Sequence, residues 1–566
     1  MSSGNGFLDA IRSAPDEDGP RLVYADWLEE RGDPRGEFIR IQCVLETLAD
    51  DASERRALEA REKELLQTHG DRWTASFPKG LTSWEFRRGF VSTIEVDAPN
   101  FLESVAELFA AEPIGHVRLH EVEEYVAEIA ACPQLAHLRF LDLSQCGIGA
   151  ADAIFLAESP FLGNLNTLDL SGSHIGTEGA KALAASSRLG RLTALLLAGN
   201  DISATGVEAL AASSTLTRLT ELDLSRNSLG AAGLHALVAS RHLDHLRVLY
   251  LAGNRIAAPA LRSFANCRRL AGLTALDLSM NDIGNDGVAT LAGSPHLKSL
   301  EALDICSCHL AASGVRALAN AANWSTLNTL RLARNQLGSG AAARIADAGW
   351  ASGLTELDVG YADFGDDGAT ALGESARLTS LRVLNLEGNG IGPFGVRAIA
   401  ASPHLAGLGV LDLADNRLGD RGVQVLTVQP RLPHLQSLVL RKNTIGDLGA
   451  SALAEAAYLQ NLKQVDLGQN DIGDIGAEAL ARGPLLGRLQ SLQLHVNDFG
   501  DVGARAFLAL PATDELPILS LSIDGFSEPV REALTGRFGK RLHWIGPRPP
   551  GTTEPARYVA GLLPGT

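Results

Sequence analysis

The chain has 566 residues, with 49 Lys and Arg against 67 Asp and Glu and a formal net charge of −18. Hydrophobic residues make up 45% of it and aromatic residues only 5%, which predicts a folded protein with an aliphatic core. The negative charge argues against nucleic acid or an anionic membrane as the main partner, because both are bound by basic surfaces.

The N-terminal segment is predicted to be helical. Residues 5–31 indicate two short helices. A third helix is predicted in GDPRGEFIRIQCVLETL. A charged fourth helix is predicted in SERRALEAREKELLQTHG and ends near residue 70. Tyr24 and Trp27 are expected in the core of this small domain. The stretch RLVYADWLEERGDPRGEFIRIQ resembles the repeat-companion domain that precedes repeat arrays in planctomycete-like bacteria. The helical domain is assigned to 1–70, and no biochemical activity follows from the resemblance.

Residues 71–114 are assigned to a β-hairpin and an N-terminal cap region. The sequence WEFRRGFVSTIEV predicts a hairpin that turns at Arg88-Gly89. Residues 101–122 then look like an irregular first repeat.

The stretch LTELDLSRNSLG at 219–230 recurs along the chain with a constant period of 27 residues. Such a period predicts one supersecondary unit stacked many times. A buried asparagine after each strand is expected to bond to the backbone of neighbouring turns. This predicted asparagine ladder comprises Asn200, Asn227, Asn254, Asn281, Asn335, Asn389, Asn416, Asn443, Asn470 and Asn497. Other residues stand at five ladder positions, and Ala362 predicts a local weakness: Cys146, Ser173, Cys308, Ala362 and Asp524.

The second half of each unit is predicted to be a helix that returns the chain to the next parallel strand. In IGDIGAEALARG, Ile475, Ala479 and Leu480 are expected on one helix face. Seven residues stand where a helix N-cap is expected: Thr177, Asn285, Asp366, Asp420, Asp447, Asp474 and Asp501.

The pattern LxxLDLSxNxIGxxGAxALA resembles the leucine-rich repeats of the ribonuclease-inhibitor type. The resemblance covers 115–526 and implies an α/β fold, a right-handed solenoid shaped as a horseshoe with a concave parallel sheet and convex helices. Residues 527–566 are assigned to a C-terminal capping helix, EPVREALTGRFG, and a Pro/Gly-rich tail that we expect to be disordered.

Asp223 lies between two inward-pointing leucines, so we expect it on the concave face. The same strand position is acidic in many repeats. Two interpretations are open: a solvated acidic column without a ligand, or an acidic groove that recruits a partner with a basic surface. The candidate binding residues are Asp223, Asp277, Asp304, Arg331, Arg334, Glu356, Asp358, Tyr361, Glu387, Asp412, Arg441 and Lys442.

No motif for catalysis, metal or cofactor binding stands out, so we predict a non-enzymatic protein without a cofactor. The pair His242 and His245 lacks a third ligand nearby. Six scattered cysteines form no CxxC, and the N-terminus shows no signal-peptide pattern, which together favour the reducing cytoplasm. No stretch approaches the roughly 18 apolar residues of a membrane span.

Three functions remain open. The first is a protein–protein interaction scaffold that binds on the concave face, with the N-terminal domain as cap or link. The second is a regulator of another enzyme, because Ran GTPase-activating proteins and ribonuclease inhibitors are similar repeats. The turns SQCGIG and SGSHIG of the first repeats lack the asparagine and an arginine, so no activator residue can be placed. The third is a structural paralogue with no dedicated ligand. The sequence does not specify the oligomeric state.

Overall fold

The computed structural model describes residues 5–49, 52–75, 77–78, 80–428, 430–510 and 517–546. The predicted C-terminal tail lies outside these ranges. The chain divides into two compact units. The N-terminal unit contains the chain up to Ile283 together with 293–300, and the C-terminal unit contains 284–292 and the chain from Glu301 onward.

The N-terminal unit begins with four helices and a hairpin and continues with strands that alternate with helices. Its elements are α1 Asn5–Ser13, α2 Gly19–Glu29, α3 Arg35–Thr47, α4 Arg55–Trp73, β1 Leu81–Arg87, β2 Phe90–Asp97, α5 Ala98–Ala111, β3 His116–His120, α6 Val126–Ala130, β4 Phe140–Asp142, α7 Ala150–Glu158, β5 Thr167–Asp169, α8 Gly176–Ala185, β6 Ala194–Leu196, α9 Ala204–Ala212, β7 Glu221–Asp223, α10 Gly230–Ala239, β8 Val248–Tyr250, α11 Ala258–Ala265 and β9 Ala275–Asp277.

The C-terminal unit continues the alternation of strand and helix. Its elements are α12 Gly284–Ala292, β10 Ala302–Asp304, α13 Ala312–Ala319, β11 Thr329–Arg331, α14 Ser339–Asp347, β12 Glu356–Asp358, α15 Gly365–Glu374, β13 Val383–Asn385, α16 Pro393–Ala400, β14 Val410–Asp412, α17 Gly419–Thr427, β15 Ser437–Val439, α18 Asp447–Ala454, β16 Gln464–Asp466, α19 Asp474–Arg482, β17 Ser491–Gln493, α20 Asp501–Leu508, β18 Ile518–Ser522, α21 Glu528–Phe538 and β19 Leu542–Ile545.

Each unit contains a parallel sheet whose strands pair in chain order. In the N-terminal unit β2 to β9 are parallel and β1 is antiparallel to β2. In the C-terminal unit β10 to β19 are parallel. The middle residue of each short strand pairs with its counterpart 27 residues on, as Leu357 does with Leu384. Consecutive helices pack side by side, and their inner faces are rich in glycine and alanine. The predicted α/β repeat architecture is confirmed.

The N-terminal helices pack against the hairpin that turns at Arg88-Gly89. Phe90 of β2 belongs to the same buried cluster as residues of α1, α2 and α3, and Tyr24 and Trp27 pack on that cluster. A buried ion pair adds a polar connection, since Arg35 of α3 donates to both oxygens of Glu112 at 2.6 and 2.8 Å. Residues on both sides of the predicted boundary at 70 therefore share one core.

The asparagine ladder has the predicted role. The Nδ2 of Asn416 donates to the carbonyls of Leu386, Leu413 and Ala414, and its Oδ1 accepts from the N–H groups of Asn389 and Ile391. One side chain thus satisfies five backbone groups, in its own turn and in the turn of the preceding repeat.

Four of the five departures from asparagine can be compared, and they behave differently. The thiol of Cys146 donates to the carbonyl of Leu119, which gives this cysteine a structural role. The hydroxyl of Ser173 is buried without a hydrogen bond to a described residue. At Ala362 no side-chain oxygen is present, and the N–H of Leu337 bonds instead to the carbonyl of Asn335. Asp524 is exposed and lies in a short 3-10 helix, so it does not continue the ladder.

The aspartates predicted as N-caps do not cap their own helices. Asp447 is the first residue of α18, and its Oδ1 accepts from the N–H groups of Gly473 and Gly476 at the start of the next helix. Asp366, Asp420 and Asp474 do the same for the helices that follow them. The sequence spacing places these residues near a helix start but does not reveal which helix they cap.

Replacing Asp447 with alanine should lower the free energy of unfolding by about 1–2 kcal/mol, the usual cost of a lost N-cap. Two N–H groups of α19 lose their acceptor in this variant. Urea unfolding measures the change. Asp471→Ala is the matched control, because Asp471 is exposed and its carboxylate forms no hydrogen bond to a described residue. Equal stabilities of the two variants would contradict capping between repeats.

Ile475 was predicted on the same helix face as Leu480, and this is wrong. Its side chain is 69% exposed, whereas Leu480 is 2% exposed. Leu448 and Val502 occupy the equivalent positions of α18 and α20 and are also exposed. The first turn of each helix directs this position away from the sheet. This depends on the orientation of the helix, which the spacing of apolar residues alone does not predict.

Candidate interaction face

The last residue of each short strand lies on the sheet face opposite the helices. In β7, Leu222 is 1% exposed and Leu224 is 0% exposed, while Asp223 between them is half-buried. Because successive strand residues point to opposite faces, Asp223 and its counterparts share the face that carries no helices.

Each aspartate of this column holds the turn that follows its strand. The Oδ1 of Asp223 accepts a hydrogen bond from the N–H of Ser225 at 2.8 Å, two residues on. The same bond occurs at Asp142, Asp169, Asp277, Asp304, Asp358, Asp412 and Asp466. Asn385 forms it as well, with the N–H of Glu387 at 2.8 Å. The column therefore has a local structural role, and that role does not need a negative charge.

The predicted site residues are divided between the two units. Asp223 and Asp277 belong to the N-terminal unit, and the remaining ten belong to the C-terminal unit. Asp304 is only 7% exposed, so it is less accessible than expected for an open face. Burial raises the pKa of Asp223, and the N–H of Ser225 opposes this rise.

Three ion pairs on this face of the C-terminal unit join different repeats: two join neighbouring repeats, and Arg441–Glu387 spans two periods. Arg331 Nε lies 2.7 Å from Glu356 Oε1. An Nη of Arg441 lies 2.9 Å from Glu387 Oε1, and Lys442 Nζ lies 2.7 Å from Asp415 Oδ2. Most of these side chains are half-buried. The face is therefore a mixed charged surface in which each of these three carboxylates has a cation beside it.

Tyr361 connects two of these pairs, Arg441–Glu387 and Lys442–Asp415. Its hydroxyl lies 3.2 Å from Glu387 Oε1 and 3.0 Å from Asp415 Oδ2, and the guanidinium of Arg334 lies 4.5 Å from the centre of its ring. The phenol has one proton, so it donates to one carboxylate at a time. Burial and the two carboxylates raise the pKa of Tyr361, which keeps the hydroxyl protonated at neutral pH. The structure thus brings Arg334, Tyr361, Glu387 and Arg441 together.

Sequence reasoning missed Asp415. It occupies the position before the ladder asparagine, and Arg334, Tyr361 and Lys442 occupy the same position in other repeats. This position has a left-handed backbone throughout, with φ of 58° at Arg334, 53° at Tyr361, 52° at Asp415 and 59° at Lys442. Glycine at several equivalent positions was the available signal: Gly172, Gly199, Gly253 and Gly388.

Gly388 allows the ring of Tyr361 to lie where a side chain would otherwise be. A Cβ at this position would come within 2.3 Å of a ring carbon of Tyr361, and φ is +68°. Gly390 also has φ of +68°, but nothing lies near its Cβ position.

These two glycines form a matched pair for a test. Gly390→Ala should cost about 1–2 kcal/mol of unfolding free energy from backbone strain alone. Gly388→Ala should cost a further ~1–2 kcal/mol, because the Tyr361 ring must also move. Urea unfolding of both variants measures the difference. Equal losses of unfolding free energy would show that the position of the Tyr361 ring does not require a glycine at 388.

Asp358 and Asp412 differ from the other carboxylates of this face. Among the described residues, neither takes part in an ion pair within 4.0 Å. Burial by neighbouring repeats raises the pKa of Asp358 to about 6 and that of Asp412 to about 7. The turn N–H groups and the more distant Arg331 and Arg441 only partly offset this effect. Solvent still reaches part of both side chains. Asn385 lies on the strand between them.

No group of three or more His, Cys, Asp or Glu among the described residues is arranged to hold a metal ion. The six cysteines are buried and unbridged, and burial raises the pKa of Cys146 to about 11. Over the same residues, no helix combines the length and the apolar character needed to cross a bilayer.

Comparisons with known proteins agree with the repeat architecture. Ten segments match a leucine-rich repeat family model: 134–157, 164–184, 192–211, 215–238, 273–292, 354–373, 377–400, 408–426, 431–454 and 458–481. A comparison with curated proteins finds no sequence match.

Among solved structures, an internalin from Listeria monocytogenes str. 4b F2365 is 22% identical, with a TM-score of 0.37, over 59% of this chain and 88% of its own. The yeast Rad7 and Elc1 complex matches at 16% identity and a TM-score of 0.38, over 57% of this chain and 83% of that chain. A TDR receptor matches at 19% identity and a TM-score of 0.34, over 65% of this chain and 57% of that receptor. Likenesses of this size say nothing about partners. The matched family segments lie between residues 134 and 481, and over these segments the chain is similar to leucine-rich repeats.

Proposed function

We propose that this protein is a non-enzymatic interaction scaffold. Its C-terminal unit binds the basic surface of a partner protein. The contact surface is the acidic face, defined here as Glu356, Asp358, Glu387, Asp412 and Asp415. The proposal rests on Asp358 and Asp412. Burial raises the pKa values of these two carboxylates, and among the described residues no adjacent cation offsets that rise.

Their local role does not explain their charge. Asn385 holds the same turn with the same bond, and it does so without a carboxylate. A charge that opposes folding and is not needed for the turn is typical of a functional site. A lysine or arginine from a partner would lie close to both carboxylates and relieve their desolvation.

The residues around the two aspartates suit a protein interface. Tyr361 and Arg334 are of the types that dominate binding energy at such interfaces. The chain as a whole carries a net charge of −18, which favours a basic protein over nucleic acid. Charge pairs across a half-exposed face are screened by salt, so we expect the affinity to fall as the ionic strength rises.

The test compares the wild-type protein with the variant D358N/D412N, which removes two charges and keeps both turn bonds. The control is D471N/D498N, which removes two charges from exposed residues outside the acidic face. Each protein is used to capture partners from lysate, which are then quantified by mass spectrometry at two salt concentrations. We expect a partner with a basic surface that the wild type and the control retain and D358N/D412N loses. Equal capture by all three proteins would contradict the proposal.

A further inference from the structure

A second possible interaction surface lies in the N-terminal unit, at the free edge of β1. This seven-residue strand pairs with β2 on one side. Most of its residues are exposed, and Trp84 is 44% exposed. An edge strand presents unpaired N–H and C=O groups on its open side, and another extended chain can pair with them.

A cleft of about 410 Å³ runs between this strand and α4. Trp84, Glu85 and Phe86 of β1 line it, and the pairing of β1 with β2 is irregular between Glu85 and Phe86. The helix supplies the other wall, including Glu62, Leu66 and Asp71.

The cleft is acidic. Glu62, Asp71 and Glu85 line it, and none of the described residues in its lining is Lys, Arg or His. The side-chain amide of Gln42 donates to Glu62 at 2.7 Å, which holds that carboxylate in the wall. The exposed ring of Trp84 packs edge-on against Phe77 and leaves a flat apolar surface beside the charges.

We propose that this cleft binds an extended, lysine- or arginine-containing segment of a partner protein, which adds to the sheet as a strand beside β1. The backbone of the segment pairs with the open edge of β1, its basic side chains lie against Glu62, Asp71 and Glu85, and its stem carbons cover Trp84. This surface belongs to the N-terminal unit and is independent of the acidic face of the C-terminal unit.

The test uses a fluorescein-labelled eight-residue peptide of alternating lysine and threonine, and fluorescence polarisation with the full-length protein. Two further peptides replace every lysine with glutamate or carry an N-methyl group at every residue. The variant E62Q/D71N/E85Q removes the charges of the cleft. E107Q is the control, because Glu107 is exposed on α5 outside the cleft. D358N/D412N tests whether the peptide binds to the acidic face instead of the cleft.

We expect the lysine peptide to bind at least tenfold more tightly than either the glutamate or the N-methylated peptide. E62Q/D71N/E85Q should weaken binding at least tenfold, with an unchanged circular dichroism melt, while E107Q and D358N/D412N bind as the wild type does. Equal binding of the N-methylated peptide would exclude strand addition. Unchanged binding by E62Q/D71N/E85Q, a loss confined to D358N/D412N, or no binding at millimolar protein would each overturn the proposal.

Discussion

Asn416→Ala is expected to lower the free energy of unfolding of the C-terminal unit by about 3–5 kcal/mol. The side chain makes five hydrogen bonds to buried backbone groups, and a buried group left without a partner costs about 1–3 kcal/mol. Relaxation of the turn and entry of water keep the sum below five full penalties. Urea unfolding followed by circular dichroism measures the loss.

Arg417→Ala is the matched control, since Arg417 is exposed and directly follows Asn416. It should change the free energy by less than about 0.5 kcal/mol, as surface substitutions usually do. A loss below about 1 kcal/mol for Asn416→Ala would show that the ladder is dispensable for stability.

The second large predicted effect is a gain in stability. D358N/D412N is expected to raise the free energy of unfolding by about 2–4 kcal/mol at pH 8. Each unit of pKa shift corresponds to about 1.36 kcal/mol. The pKa values of about 6 and about 7, against an ordinary 3.8, set an upper bound that we reduce because solvent reaches both groups. Asparagine keeps the turn bond, as Asn385 shows.

The gain should depend on pH in one direction. Because the folded state holds these protons more tightly than the unfolded state, the contribution of Asp358 and Asp412 to wild-type stability falls as pH rises from 3.8 toward 7. The variant has no such protons to lose, so the difference between the two proteins opens across this window and is near zero below pH 4.

Urea unfolding of both proteins at pH 4 and pH 8 measures this difference. D498N is the control, because Asp498 is exposed and should give no pH-dependent gain. A gain of equal size at both pH values, or none at pH 8, would contradict the raised pKa values.

The constant period of 27 residues predicted much of the fold. A fixed spacing of leucines and asparagines leaves few ways to bury both, so strand positions, parallel pairing and the ladder followed from sequence. The ends of the chain were less predictable. The exposed Asp524 and the added strand β19 fall where the repeat stops, and there the pattern no longer constrains the backbone.

The contacts of the helices between repeats were predicted less well than the strand pairing and the asparagine ladder. Asp447 looked like the N-cap of its own helix, but it bonds to Gly473 and Gly476 of the next one. The sequence shows an acidic residue near a helix start, while the identity of the capped helix depends on how closely the helices pack. Ile475 was misplaced for a related reason, since only the orientation of the helix decides that its first turn is exposed.

The sequence predicted where the candidate residues lie on the strands but not which contacts they make. The strand pattern placed Asp358 and Asp412 on the sheet face, and it did not reveal that each also holds a turn. Asp415 was missed because it follows the strand rather than belonging to it. Its pairing with Lys442 depends on a left-handed turn residue, which a period-2 strand pattern does not describe.

The most direct test of the proposed function is proton release when the captured partner binds. Isothermal titration calorimetry at pH 6.5, in two buffers of different ionisation enthalpy, counts the protons exchanged. A basic surface that covers Asp358 and Asp412 lowers their pKa values of about 6 and about 7, so we predict proton release by the wild type and little or none by D358N/D412N. Binding without proton release by the wild type, or with equal release by the variant, would contradict the acidic face as the binding site.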